Sequence, residues 1–201
     1  MYKFLTVAYS EMPAAESFLT GAELACFNNF KIEKRRRDYA LGRYALKKLL
    51  KEQTGLDYKR WTVDTLQSRA PSVLSNGKTT NLNASISHSN GYGAACTSLT
   101  NKVGIDIELI EERSKAWAEM CFTKTELAAG SGAEYLTELW AKKEAVLKVL
   151  NIGLTAAMRQ IEFDGNKINF YGRLAGTSGI TVDVNRDLKN FITAIAFGGN
   201  L

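Results

Sequence analysis

Apolar and polar positions along the chain follow two different periods, and the switches between them mark out the elements. Tyr2–Tyr9 is apolar-rich and reads as an opening strand. From Ala14 to Gln53 the spacing is helical, with a break expected near Asn28-Asn29. Tyr39, Leu41, Tyr44, Leu46, Leu49 and Leu50 supply the buried side of the second helix, and Thr54-Gly55 ends it. Trp61–Leu66 reads as a short strand and Arg69–Asn81 as a loop, punctuated by Ala70-Pro71 and Asn76-Gly77. Three strands follow, Ala84–His88, Tyr92–Ser98 and Val103–Ile110. With Asn90-Gly91 between the first two and Asn101-Lys102 before the third, a meander is expected. Helical spacing returns at Ser114–Met120, Thr123–Ala129 and Glu134–Leu150, closed by Asn151-Ile152-Gly153. The last quarter reads as strands: Gln160–Phe163, Lys167–Tyr171, Ile180–Val184 and Phe191–Phe197. Strand, helices, strands, then helices and strands again suggests an α+β protein of two α/β halves joined near Thr100–Lys102. No low-complexity segment stands out, and no residue-level repeat is clear enough to build on.

Composition narrows this picture only a little. The 201 residues are 45% hydrophobic, enough for a core, and the 23% that are charged are spread out, which argues against disorder. A formal charge of +5 favours anionic partners, whether nucleic acid, phosphorylated small molecules or an acidic protein. The densest basic run, Lys34-Arg35-Arg36-Arg37 followed by Arg43, Lys47 and Lys48, reads equally well as a solvated helix face. Cys26, Cys96 and Cys121 form no CxxC pair, and their odd number without a secretory leader suggests reduced thiols in the cytoplasm. The opening residues are too polar for a signal peptide, and no apolar run reaches the roughly 20 residues that span a bilayer.

The chemistry lies on one strand and one helix. In Val103-Gly104-Ile105-Asp106-Ile107-Glu108-Leu109, the odd positions point to a core and Gly104, Asp106 and Glu108 point the other way. Two residues along a strand span roughly 6.5 Å, so both carboxylates can reach one small cation, and Gly104 leaves room for a ligand. On the helix, Trp140, Glu144 and Lys148 recur every four residues and share a face. A wet strand face and a commonplace i,i+4 Glu–Lys pair would read the same way. Together, however, the three carboxylates would make a hard oxygen site suited to magnesium, with the lysine holding a phosphate oxygen of a diphosphate. His88, the only histidine, ends a strand between Ser87 and Ser89, a setting better suited to holding a phosphate than to proton transfer.

Three segments together resemble one family. Ser85–Cys96 (SISHSNGYGAAC), Val103–Glu108 (VGIDIE) and Leu139–Leu154 (LWAKKEAVLKVLNIGL) are similar to the 4′-phosphopantetheinyl transferases, specifically the monomeric two-half type that activates peptide and polyketide synthases. Phe122–Leu127 (FTKTEL) and Arg35–Leu50 support the likeness, and order and spacing agree from about Arg35 to Leu154. The resemblance implies two similar halves, 1–101 and 102–201, each a small mostly antiparallel sheet with packed helices, related by pseudo-twofold symmetry. It implies magnesium ligands at Asp106, Glu108 and Glu144, with Glu144 also the proposed general base. It places Lys148 on the diphosphate with Lys143 close by, and Ser87 with His88 on the 3′-phosphate of coenzyme A. Arg37 and Arg43 are implied to face the nucleotide, and Arg69 to replace a basic residue that the family often has one position away.

The function so implied is transfer of phosphopantetheine from coenzyme A to a serine of an apo carrier protein, releasing adenosine 3′,5′-bisphosphate. Acyl, polyketide and peptidyl carriers are all open, and a cytoplasmic monomer that engages neither nucleic acid nor membrane is expected. Carriers of this class present an acidic helix, for which Ser114–Met120, with Trp117 and Met120, is a candidate surface. Two rivals share parts of the pattern: a metal-dependent nuclease or nucleotide hydrolase, and a module that binds coenzyme A or a carrier without turnover. Against the first, Glu108 is followed by Leu109-Ile110 and not by the x-Lys of such nucleases. The basic run also lacks interleaved aromatics.

Overall fold

Each half of the chain lays one long helix across a three-stranded antiparallel sheet in the computed structural model, which describes residues 1–65, 70–152 and 158–198. The first half runs β1 (Lys3–Ala8), α1 (Ala15–Phe18), α2 (Gly21–Asn29), α3 (Glu33–Thr54), β2 (Trp61–Thr65), β3 (Pro71–Ser75), β4 (Lys78–Thr79), β5 (Asn83–Ser89) and β6 (Tyr92–Ser98). The second runs β7 (Lys102–Leu109), α4 (Lys115–Cys121), α5 (Lys124–Ala129), α6 (Ala133–Val149), β8 (Ile161–Asp164), β9 (Lys167–Phe170), β10 (Ile180–Asn185) and β11 (Phe191–Gly198). The main sheets have the orders β1-β6-β5 and β10-β11-β7, and β2-β3-β4 and β8-β9 form smaller ones. The α+β class follows directly.

The halves meet along two seams. β5 packs against β7, and at the other seam the Tyr2 hydroxyl beside β1 donates to Asp183 on β10 (2.6 Å). Each half's first strand thus lies beside the other half's next-to-last strand, the arrangement that a twofold exchange of halves requires. Ile105, Ile107, Ala94, Cys96, Phe191 and Ile195 fill the space between the two sheets. Separate cores lie under α3 and under α6.

Both helices approach their sheets closely. A Cβ on Gly104 would lie 2.1 Å from the Ala145 carbonyl oxygen, and one on Gly93 2.9 Å from that of Leu41. Gly104 therefore serves helix packing, and not ligand access as its sequence setting suggests. α3 stops at Gly55, whose φ of 71° suits the left-handed cap.

Three other expectations change. The meander ends after its first hairpin: β6 pairs with β1 and β5, whereas β7 pairs with β11 in the other sheet. The segment read as a loop holds the β3–β4 hairpin, with Asn76 and Gly77 at positive φ in its turn. A residue-level repeat also exists. Phe18-Leu19-Thr20-Gly21-Ala22-Glu23-Leu24 and Cys121-Phe122-Thr123-Lys124-Thr125-Glu126-Leu127 occupy equivalent places, and both build a Thr–Glu capping box.

Candidate active site

Strand alternation on β7 sends Val103, Ile105 and Ile107 into the inter-sheet core and turns Asp106 and Glu108 toward α6. On α6, residues four apart stack along the axis and meet that face in order. The Trp140 indole donates to Glu108 Oε1 (3.2 Å). Lys148 Nζ donates to Asp106 Oδ1 (2.8 Å) and to the Ile105 carbonyl (2.6 Å). Glu144 lies between these contacts on the helix and feels both Asp106 and Glu108.

Burial, reinforced by Asp106, pushes the Glu108 and Glu144 carboxyls up to about 7 each. Trp140, Arg113 and Lys148 act on Glu108 in the opposite sense, without offsetting the burial. Asp106 Oδ2 is buried with no hydrogen-bond partner. The crease therefore holds three carboxylates with only partial compensation from Lys148 and from Arg113, which lies 3.9 Å from Glu108. Among the described residues, no three carboxylate, thiol or imidazole groups close into a finished metal cage.

The opposite wall comes from β5. Ser85, Ser87 and Ser89 share the face turned to β7. Ser85 Oγ accepts from the Ile105 amide (3.1 Å), Ser87 Oγ donates to Asp106 Oδ1 (2.7 Å), and Ser89 Oγ reaches Glu108 Oε2 (3.4 Å). Small hydroxyls thus join strands that share no backbone ladder, and Ser87 meets the same Asp106 oxygen that accepts from Lys148. The resemblance gives Ser87 and His88 one phosphate to share, but alternation puts their side chains on opposite faces of β5. Ser87 serves Asp106, while His88 Nδ1 lies 3.9 Å from Asp38 on α3.

Two cavities flank this strand and meet at Ile86. One, of about 420 Å³, has Glu144 and Lys148 in its wall together with Pro71, Leu82, Val103 and Lys102. The other, of about 280 Å³, is bounded by Phe30, Arg35, Asp38, Tyr39, Arg43 and His88. The remaining basic residues are placed as follows. Arg43 reaches the second cavity but is almost wholly buried. It stacks on Tyr39 (3.5 Å) and donates to the Val63 carbonyl (3.2 Å), and so is held by the protein more than presented to solvent. Arg37 rests on the Tyr9 ring (5.4 Å), outside that cavity lining. Lys143, expected near the diphosphate beside Lys148, is fully buried and ion-paired with Glu126 (2.7 Å), so it faces no ligand. Arg69 lies outside the described residues.

Arg35, Asp38, Tyr39, Ser89 and Arg113 join the site although the sequence gives them no catalytic or binding role. The i, i+2, i+4 spacing of Ser85, Ser87 and Ser89 is a readable signal for the seam; nothing in the sequence marks Asp38 or Arg113.

Comparison with known proteins links the second half of the chain to one superfamily. A model of the 4′-phosphopantetheinyl transferase superfamily matches residues 102–196. The match covers a little under half of the chain. It spans β7, α6 and most of β11, and β7 and α6 carry Asp106, Glu108, Glu144 and Lys148. No curated protein gives a significant sequence match. Among solved structures the chain is similar to a holo-(acyl-carrier-protein) synthase from Bacillus anthracis in complex with coenzyme A (18% identity, 48% of this chain, 91% of that chain, TM-score 0.41). It is similar as well to the enzyme from Helicobacter pylori in complex with coenzyme A (18%, 48% and 97%, TM-score 0.39). A third similar structure is the holo-ACP-synthase from Plasmodium yoelii (23%, 49% and 94%, TM-score 0.41).

Proposed function

We propose that this transferase moves the phosphopantetheine arm of coenzyme A onto a carrier-protein serine, in a cleft between halves 1–101 and 102–201 of one monomeric chain. The observation that carries the reading is the crease of Asp106, Glu108, Glu144 and Lys148 in a segment matching the superfamily, with a cavity opening at each side of β5. Both walls of the cleft come from a single chain, which supports a monomer. Three free cysteines, two of them buried, suit a reducing compartment such as the cytoplasm.

Magnesium fits the crease. Asp106 Oδ2 is a buried acceptor in need of a partner. The Glu108 and Glu144 carboxyls are raised by burial first and by the neighbouring Asp106 second, both of which a divalent cation would offset. The open geometry suits an ion that keeps waters and takes substrate phosphates as ligands. Asp106, Glu108 and Glu144 would hold it, and when bound it neutralises charge on the diphosphate.

The chain's own groups account for the rest. Glu144, in the wall of the larger cavity and beside Asp106 and Glu108, is placed to take the proton as the carrier serine oxygen attacks the β-phosphorus. The bond from that phosphorus to the bridging oxygen breaks, and adenosine 3′,5′-bisphosphate leaves. Lys148 uses two of its three protons on Asp106 and Ile105, and the third is available to a diphosphate oxygen. Arg35, Arg43 and His88 surround the second cavity and suit the phosphorylated nucleotide end. The larger cavity, with its apolar wall and Lys102, has room for the pantetheine arm. α4 carries Met120, 68% exposed, and offers a carrier an apolar contact beside the cleft.

Intact mass of an apo carrier protein, incubated with this protein, coenzyme A and magnesium, tests the reading. A gain of one phosphopantetheine, absent with chelator, is the expected result. No gain on any of several acyl, polyketide and peptidyl carriers, despite coenzyme A binding, would overturn it.

A further inference from the structure

Each half buries one glutamate–lysine pair in the same place, and the mechanism above uses neither pair. In the first half Glu23 is 2% exposed and Lys47 not at all; in the second, Glu126 and Lys143 are both fully buried. Each glutamate accepts from the amide of the threonine three residues earlier, Thr20 (2.8 Å) or Thr123 (2.9 Å). Its other oxygen accepts from the amide of a strand residue, Val63 (2.9 Å) or Phe163 (2.9 Å). Each lysine donates to its glutamate and to the carbonyl five residues before that glutamate, Phe18 (2.8 Å) or Cys121 (3.3 Å). Lys143 donates once more, to the Met158 carbonyl (3.1 Å).

Desolvating two charges offsets most of their attraction, so such pairs add little net stability compared with apolar residues of the same size. Directionality is what they supply. A helix held only by apolar contacts can shift by one residue, which is a rise of about 1.5 Å and a rotation of about 100°. A lysine fixed by several buried acceptors permits a single register. The two halves hold different neighbours in that register. Next to Lys143 stands Glu144, with Lys148 one turn further on. Next to Lys47 stands Lys48, paired with Glu11 (2.9 Å), and one turn before Lys47 is Arg43, 3.8 Å from Glu23 and in the wall of the nucleotide-end cavity.

We infer that the two pairs are positioning latches with divided labour. Glu126–Lys143 sets α6 so that Glu144 and Lys148 meet Asp106, and Glu23–Lys47 sets α3 so that Arg43 and Tyr39 wall the cavity beside His88. The inference rests on the proposed function for what each cavity holds, and on the structure for the latches themselves.

Because removing one member strands a buried charge, the test neutralises both: Glu126→Gln/Lys143→Met against Glu23→Gln/Lys47→Met, each assayed well below its unfolding temperature. Four quantities are read: Mn²⁺ affinity by paramagnetic titration, affinity for adenosine 3′,5′-bisphosphate by calorimetry, kcat, and KM for coenzyme A. The second-half variant is expected to lose at least about tenfold in kcat and several-fold in Mn²⁺ affinity, with nucleotide affinity within about twofold. The first-half variant is expected to show the reverse, weaker nucleotide binding and raised KM with kcat within about twofold. Equal changes in both variants, or unchanged binding in both folded variants, would overturn the division of labour. The binding measurements need no turnover, so a parent protein inactive on every carrier would remove the proposed function while the latches were still judged. Should either double variant fail to fold, Lys143→Arg and Lys47→Arg, which keep the charge, are read for the same split.

Discussion

At Glu144, burial and the neighbouring Asp106 act in the same direction, and the result can be tested through stability before any substrate is known. Its carboxyl, and that of Glu108, rise from an ordinary 4.5 to about 7 in the folded protein. The native state therefore keeps protons that the unfolded chain releases. The stabilisation is complete below pH 4.5 and is lost as pH climbs through 7. Each tenfold gain in proton affinity on folding is worth about 1.4 kcal/mol, before solvent screening reduces it. Urea unfolding in chelator from pH 5 to 8 should show Glu144→Gln losing less stability over that window than the parent. Parallel curves would mean that Glu144 titrates as an ordinary carboxylate. Lys148→Ala should lower kcat by roughly 10²-fold or more, as expected for loss of a charge aimed at the transferring group, read by carrier mass gain over time. The acids and Lys148 were legible because strand alternation and helical spacing state which side chains share a face. The fate of Lys143 was not. One residue from Glu144, it points about 100° away around the helix, and only its partner in the FLTGAEL/CFTKTEL repeat tells that this direction is inward.

Elements carry the next level of constraint. α6 can lie on β7 only because Gly104 lacks a side chain. Gly104→Ala would push its new methyl against the Ala145 carbonyl and force helix and strand apart. A loss of several kcal/mol is expected, in the range of overpacked core substitutions, together with a fall in activity. Thermal unfolding and turnover measured together check this, and an unchanged melting temperature would contradict the close approach. α4 divides its faces: Trp117 packs at a tilt against Trp140 (5.1 Å) and edge-on against Phe122 (5.4 Å), whereas Met120 points out. Met120→Glu should therefore leave the fold intact and raise KM for an acidic carrier several-fold with little change in KM for coenzyme A, read by varying each substrate in turn. The short β3–β4 hairpin was hidden among turn residues, whereas the helices and the β5–β6 hairpin were readable in the sequence since their signals are local. The break between β6 and β7 was not, because strand pairing is decided by distant partners: β7 found β11, some 90 residues on.

For the whole molecule, the decisive fact is that the site lies on the seam. Asp106 is held by Ser87 of the other half as well as by Lys148 of its own, so ligands bound there tie the halves together. Coenzyme A with magnesium at about 100 times its dissociation constant should add about 2.7 kcal/mol. For a chain of this size that is a rise in melting temperature of roughly 5–10 °C, measured by calorimetry, and chelator should abolish most of it. The twofold organisation was legible as an order of elements, whereas the seam contacts depend on three-dimensional docking that no local pattern encodes.

The serine-bridged seam also has a consequence for assembly. β5 and β7 share side-chain bonds and a common core, but no backbone ladder, and the turn after β6 exposes Leu99 to solvent. Severing the peptide there would leave every sheet hydrogen bond in place. The nicked fragments, expressed apart, would then behave as two subunits whose turnover depends on their encounter. Activity would rise with the square of dilute fragment concentration, and the covalent link would reveal itself as a device for raising local concentration rather than as part of the catalyst.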